Sequence, residues 1–81
     1  MARYRIRYVS YADEQLNQLP RELRPAFDAR VEDLKNDPYV VGDYDERTGS
    51  YSTTFPEMGI ILYVVSDKIG TVTIIRVNWV K

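Results

Sequence analysis

The chain has 81 residues, of which 44% are hydrophobic and 28% charged, a balance typical of one folded domain spanning residues 1–81. It contains no cysteine and no histidine, which excludes disulfide frameworks, thiolate or imidazole metal sites and histidine-based hydrolases. The formal net charge of −1 gives no overall attraction to nucleic acid. Without a secretion signal or an apolar run of membrane-spanning length, the chain is expected to be cytoplasmic, with no metal or cofactor.

The first predicted strand alternates basic and apolar residues over positions 3–9, a pattern typical of a half-buried strand. Its basic side carries Arg3, Arg5 and Arg7. Three cations in a row can follow a phosphate backbone, which makes them candidate nucleic-acid-binding residues. The alternatives are protection of an edge strand by charge and pairing with acidic residues of a partner or of a loop.

Two amphipathic helices follow the strand. Ser10 is suited to cap the first helix, which we expect to end at about Leu19 because Pro20 follows it. The second helix is predicted from Arg21 or Glu22 to Asn36, with an apolar stripe at helical spacing along one side.

An acidic surface loop is predicted for residues 39–49, followed by strands over 51–55, 60–65 and 72–77, with a hairpin link at 66–70. The order is therefore β-α-α-β-β-β. It predicts an α+β fold in which a two-helix hairpin packs on a four-stranded, mainly antiparallel sheet.

The last two predicted strands are apolar on both sides. Ile60, Leu62 and Val64 alternate with Ile61, Tyr63 and Val65, and Val72 and Ile74 are expected to lie opposite Ile75, Val77 and Trp79. Two helices can cover only one side of a sheet, so a partner chain or a second copy is expected to cover the other. Candidate partner-binding residues are Ile60, Leu62 and Trp79.

Several local motifs, in this order, resemble the RelE/ParE superfamily of bacterial type II toxins. Residues 16–20, Leu-Asn-Gln-Leu-Pro, are similar to the family's hinge between the two helices, and residues 34–38, ending in Asp-Pro, are similar to its exit from the second helix. Residues 49–51 and 60–64 are similar to its entry into the sheet and its third strand. The resemblance covers nearly the whole chain.

The resemblance implies a growth-inhibiting toxin and a cognate antitoxin protein. It also implies a cellular target, either messenger RNA on the ribosome or DNA gyrase. The family's ribosome-dependent nucleases work without metal through cations on the sheet, but the matching positions here are Gly59 or Ile60, Ser52, and Thr53 or Thr54. The remaining candidates for catalysis are Arg76, Tyr51 and Tyr63, with arginine stabilising an anion and tyrosine acting as acid or base.

The expected function is therefore that of a toxin or toxin-like protein acting mainly through protein binding. The alternatives are a metal-independent mRNA endoribonuclease with an atypical active site, and a degenerate, non-toxic interaction module. Homodimerisation through the apolar sheet is also open.

Overall fold

The computed structural model describes residues 3–55 and 59–80. The elements, in chain order, are β1 Arg5–Tyr8, α1 Ser10–Asn17, a 3-10 turn Arg21–Leu23, α2 Arg24–Asn36, α3 Pro38–Val41, β2 Asp43–Asp45, β3 Ser50–Phe55, β4 Gly59–Ser66 and β5 Thr71–Trp79. No helix in these described ranges is long and apolar enough to cross a membrane.

All five strands form one sheet in the order β1-β5-β4-β3-β2. β1 runs parallel to β5, whereas every other pair of neighbours is antiparallel. Apolar side chains of α1 and α2 share one core with the strands. The predicted α+β architecture is therefore confirmed, with five strands where the sequence predicted four.

The additional strand, β2, and the short helix α3 lie in the segment predicted as an acidic loop. β2 pairs with the first half of β3. The N–H of Gly49, at φ 69°, closes the connecting turn by donating to the Asp45 carbonyl at 2.9 Å. Because β2 has only Tyr44 to pack and is held by backbone hydrogen bonds, no hydrophobic period marks it. The loop prediction was wrong for this part.

The helix boundaries differ from the predicted ones at three ends. Val9, not Ser10, occupies the N-cap position of α1, and no side chain caps it. α1 ends at Asn17, before the predicted Leu19. α2 begins at Arg24 because Pro25, which lacks an N–H, is tolerated only in a first helical turn; its end at Asn36 is as predicted.

The core lies between the two longer helices and the sheet. Its buried members are Ala12, Leu16, Phe27, Val31, Leu34, Phe55, Ile61, Tyr63, Val72, Ile74 and Val77. The rings of Phe27 on α2 and Phe55 on β3 meet edge to face, with centroids 5.4 Å apart. This contact ties α2 to the half of the sheet that is distant from β1.

A bulge in β5 changes which of its residues face the core. The register between β4 and β5 shifts just past Leu62 and leaves Ile75 without a partner. Past a bulge, the alternation of side chains is reversed, so Val77 is buried on the same side as Val72 and Ile74. The prediction that Val77 lies opposite those two residues was wrong for this reason.

Replacing Leu34 with alanine should lower the free energy of unfolding by about 2–5 kcal/mol, because its fully buried side chain would leave a cavity against the sheet. Urea denaturation measures the change. The control is Val40→Ala, whose parent side chain is 77% exposed, with an expected change within about 0.5 kcal/mol. Similar losses for the two variants would contradict this placement of the core.

Candidate functional site

The side of the sheet turned away from α1 and α2 is called the outer face. Side chains alternate along each strand, so the residues between the core-facing positions form this face. Its members are Arg5, Arg7, Asp43, Asp45, Ser52, Thr54, Ile60, Leu62, Val64, Thr73, Arg76 and Asn78. In the part of the chain that the structure describes, the helices pack against the other side of the sheet, and α1 contacts the outer face at the end of β5, where Tyr11 meets Arg76 and Gln15 donates to Oδ1 of Asn78 at 3.4 Å.

The middle of the outer face is apolar. β4, the central strand, places Ile60, Leu62 and Val64 there, and these three residues are called the apolar strip. Ile60 is 45% exposed, and the other two are half-buried. A sheet side that faces water normally carries polar residues at such positions, so the apolar strip is a candidate contact surface.

Charge is distributed unevenly on the two sides of the apolar strip. Arg5 and Arg7 on β1 and Arg76 on β5 lie on one side, and Asp43 and Asp45 on β2 lie on the other. Among residues 3–55 and 59–80, no carboxylate forms an ion pair with any of these three arginines. On the acidic side, Asp45 pairs with Arg47 of the β2–β3 turn at 3.6 Å, whereas Asp43 has no ion pair among the described residues. The strands of the outer face therefore change from basic to acidic across its width.

Arg76 lies beside α1 at the end of β5. Its guanidinium carbon is 5.9 Å from the centroid of the Tyr11 ring, which is a cation–π distance. α1 is held there by Gln15, whose Oε1 accepts a hydrogen bond from the Val77 N–H at 2.8 Å. β1 pairs only with Thr71–Ile74, so Gln15 supplies the acceptor that a longer strand would provide. Sequence reasoning missed Gln15, because no local pattern marks a contact between a helix side chain and a distant strand.

The two tyrosines predicted for catalysis lie on the opposite side of the sheet from Arg76. Tyr63 is fully buried, and its hydroxyl donates to the Pro38 carbonyl at 2.6 Å. Burial raises the pKa of Tyr63 to about 12. The ring of Tyr51 stacks on that of Tyr63, with centroids 5.4 Å apart. The three predicted catalytic side chains therefore do not share a site.

The tyrosine rings continue along the inner side of the sheet toward α3. The ring centroid of Tyr51 is 5.7 Å from that of Tyr39 and 4.8 Å from that of Tyr44. Nearby, the Tyr4 hydroxyl donates to Oδ1 of Asp67 at 2.7 Å, and hydrogen bonds from Tyr4 and Tyr39 lower the pKa of Asp67. These tyrosines pack against one another and hold the β4–β5 turn.

The predicted arginine stripe is divided between two surfaces. Arg5 and Arg7 lie on the outer face, in register with Thr71 and Thr73 of β5. Arg3 precedes β1, and its guanidinium pairs with the Glu32 carboxylate of α2. Hydrogen bonds from Lys35 and Arg3 lower the pKa of Glu32. Only two of the three predicted nucleic-acid-binding arginines therefore share a surface.

The three predicted partner-binding residues are also divided. Ile60 and Leu62 belong to the apolar strip, as defined above. Trp79 pairs with Gly59, faces the helices and packs against the core. The bulge explains the difference, since it reverses the alternation of β5 before Trp79.

Comparison with known proteins gives matches among solved structures. A chain of the RelBE2 toxin–antitoxin complex from Mycobacterium tuberculosis is 28% identical, with a TM-score of 0.85 over 96% of this chain and 99% of that one. A chain of the intact Escherichia coli RelBE toxin–antitoxin complex has a TM-score of 0.82 at 15% identity, over 96% and 98% of the two chains. This is the RelE-like toxin fold. No protein-family model and no curated protein matches the sequence.

The fold determines which of the positions matched to the family's sheet cations lie on the outer face. A Cβ on Gly59 would lie 2.0 Å from the Phe55 ring, so Gly59 faces the core and Ile60 the outer face. Thr53 also faces inward, and its hydroxyl donates to the Val41 carbonyl at 3.3 Å. Of the two threonines, only Thr54 lies on the outer face. In the described ranges, no group of three acidic side chains converges on a metal site.

A groove runs along the free edge of β1 in this RelE-like fold and is called the β1 groove. Its lining consists of Arg3, Tyr4, Arg5, Ile6, Tyr8, Val31 and Lys35. β5 occupies one edge of β1, and alternate backbone groups of a strand point to opposite edges. The backbone groups of Ile6 and Tyr8 therefore point into a groove with an apolar floor and cations at its rim.

Raising the pH from about 10 to about 12 should destabilise the protein, with the buried Tyr63 contributing beside Tyr39, whose pKa is also raised to about 12 by hydrogen bonding to Asp67. The folded-state pKa of about 12 exceeds the usual value near 10, so the protonated phenol stabilises the fold below pH 10 and this contribution is lost as pH rises toward 12. The loss has a maximum of about 1.4 kcal/mol per pH unit. Tyr63→Phe, which cannot ionise, is the control in urea titrations at each pH, and an equally steep decline in this variant would contradict the assignment.

Proposed function

We propose that this chain is the toxin component of a type II toxin–antitoxin system and acts in the cytoplasm mainly by binding a protein target. Two chains from toxin–antitoxin complexes have the same fold over nearly their whole length. The observation that carries the mode of action is the apolar strip, with Ile60 exposed on the central strand of the sheet side that is turned away from the helix-packed core.

The outer face is better suited to binding than to phosphoryl chemistry. Metal-free cleavage of RNA requires an acid, a base and cations around one phosphate. Of the three predicted catalytic residues, Arg76 alone lies on the outer face, because Tyr51 and Tyr63 stack on the inner side, and the Tyr11 ring beside Arg76 contacts its guanidinium as a cation–π partner. The residue of β4 that pairs with Arg76 is the apolar Leu62. A protein target would bury this apolar surface and pair its own polar groups with the hydroxyls of β3.

The antitoxin segment is assigned to the β1 groove. An extended peptide can add a strand to a free sheet edge through main-chain hydrogen bonds. The groove offers the free edge of β1, the apolar Ile6 and Val31, and the cations Arg5 and Lys35. These features favour a segment that alternates apolar and acidic residues. The antitoxin would be the protein encoded beside this chain.

The second candidate function is a ribosome-dependent mRNA endoribonuclease with an atypical active site. One observation favours it: Arg5, Arg7 and Arg76 lie on one face without ion-pair partners among the described carboxylates. Arg76 then carries the chemistry, and growth arrest requires its guanidinium. A non-toxic interaction module is the outcome if expression leaves growth unaffected.

Induced expression of this chain without the protein encoded beside it should arrest growth. Leu62→Glu should abolish the arrest because it places a charge in the apolar strip. Arg76→Ala should retain most of the toxicity, because binding does not depend on one cation. Growth after induction and the integrity of transcripts on ribosomes are the measurements. The control is Ile69→Glu, which changes an exposed apolar residue of the β4–β5 turn.

Two results would contradict the binding mode. Loss of toxicity in Arg76→Ala together with transcript cleavage by the parent chain would establish the nuclease. Normal growth with the parent chain would remove both toxin functions.

The antitoxin should bind Arg5→Glu at least about tenfold more weakly than the parent chain, since this change reverses a charge at the rim of the β1 groove. Titration calorimetry at low salt measures the affinity. The matched control is Arg47→Glu, in the β2–β3 turn, where the arginine side chain is 91% exposed. Equal affinities for the two variants would place the antitoxin elsewhere.

A further inference from the structure

We propose that the outer face binds the outer face of a second copy of this chain, forming a dimer with a twofold axis parallel to β4. This pairing goes beyond the proposed function, because neither the antitoxin nor the target is needed for it. It rests on the position of β4, on the distribution of charge and on the strand register.

The first observation is that β4 is the middle strand of five. A twofold axis along β4 places β4 on β4, β5 on β3, and β1 on β2 of the other copy. Such an interface is isologous, so each contact is made twice. The apolar strip of one copy then meets the apolar strip of the other, as the inner sides of two packed sheets do.

The second observation is the change of charge across the outer face. With the axis along β4, β1 of one copy, which carries Arg5 and Arg7, lies over β2 of the other, which carries Asp43 and Asp45, and Arg7 is at the level of Asp45. A twofold axis across the strands would place β1 over β1, with like charges in contact. The charges therefore select one of the two symmetric arrangements.

The register aligns these groups along the strands as well. Leu62 pairs with Arg76 on one side and with Ser52 on the other, and Ser52 pairs with Asp43. These four outer-face residues form one row across the sheet. The twofold axis along β4 keeps each row at its level, so Arg76 lies over the other copy's Ser52, one strand, or about 4.8 Å, from Asp43. An extended arginine side chain covers that distance.

A second row lies one step further along the strands. Arg7 pairs with Thr73, which pairs with Val64 of β4. Tyr51 of β3 pairs with Tyr63 of β4, so Ser50, the residue before Tyr51, lies at the level of Val64. Ser50 in turn pairs with Asp45 of β2. Arg7 and Asp45 are therefore at the same height on opposite edges, and the twofold axis brings each over the other.

The size of the face limits the strength of the dimer. Five strands about 4.8 Å apart and about five residues long give a contact area of about 350 Å² per copy. Stable interfaces bury about 800 Å² per partner. The dimer should accordingly be weak and transient, populated only at high protein concentration. If the outer face is the working surface of the proposed function, dimerisation hides it at high concentration.

Sedimentation equilibrium of the purified full-length chain, from about 1 to about 300 μM, tests the proposal, because a weak dimer responds to concentration by mass action. We expect a monomer–dimer equilibrium. Asp43→Arg and Arg76→Asp should each raise the dissociation constant at least about tenfold, and the double variant should restore it, because the exchange of charges recreates the pairs. Arg21→Asp, an exposed arginine away from the outer face, is the control.

Salt is an independent measurement on the parent chain. Raising NaCl from about 50 to about 500 mM should weaken the dimer, because the cross-copy pairs are screened. Circular dichroism verifies that each variant is folded.

A chain that stays monomeric throughout the concentration range overturns the proposal. So does a dimer that Arg76→Asp leaves unchanged, or a double variant no stronger than the single ones. A monomer that still binds the neighbouring antitoxin overturns the dimer alone. If the purified chain dimerises but its expression does not arrest growth and it does not bind that antitoxin, the proposed function alone is overturned.

Discussion

The pairing of β4 with β5 is the contact on which the other strands depend. It joins eight residue pairs, from Gly59 with Trp79 to Ser66 with Thr71, and both strands are apolar on the side that faces the helices. β1 and β3 then add to the two free edges of this hairpin. The helices cover only one side of the sheet, so the apolar residues on the other side of the central strand face water.

The bulge in this hairpin determines where the polar groups at the end of β5 lie. It turns Val77 inward and Arg76 outward. β1 ends before the bulge, and Gln15 of α1 accepts from the next free N–H of β5. One inserted residue thus places the only outer-face arginine of β5 beside a helix rather than beside another strand.

A fold alone does not specify an activity, because function depends on the side chains that the fold presents. In this chain the outer face presents apolar groups on β4, hydroxyls on β3 and charges of opposite sign at its two edges. This chemistry suits contact with protein. The buried Tyr63 stabilises the fold through its bond to Pro38, which explains its presence without a role in catalysis.

Hydrophobic periodicity was enough to predict the fold class, the two longer helices and four of the strands, because it reports which side of an element is buried. It also predicted that β4 is apolar on both sides, with Ile60 and Leu62 on the same side. The periodicity did not reveal that Trp79 faces inward, that Arg3 pairs with Glu32 instead of joining Arg5 and Arg7, or that Asp43–Asp45 forms a strand. A bulge, an ion pair with a distant helix and a strand held by backbone hydrogen bonds depend on contacts between distant segments, which a local pattern does not record.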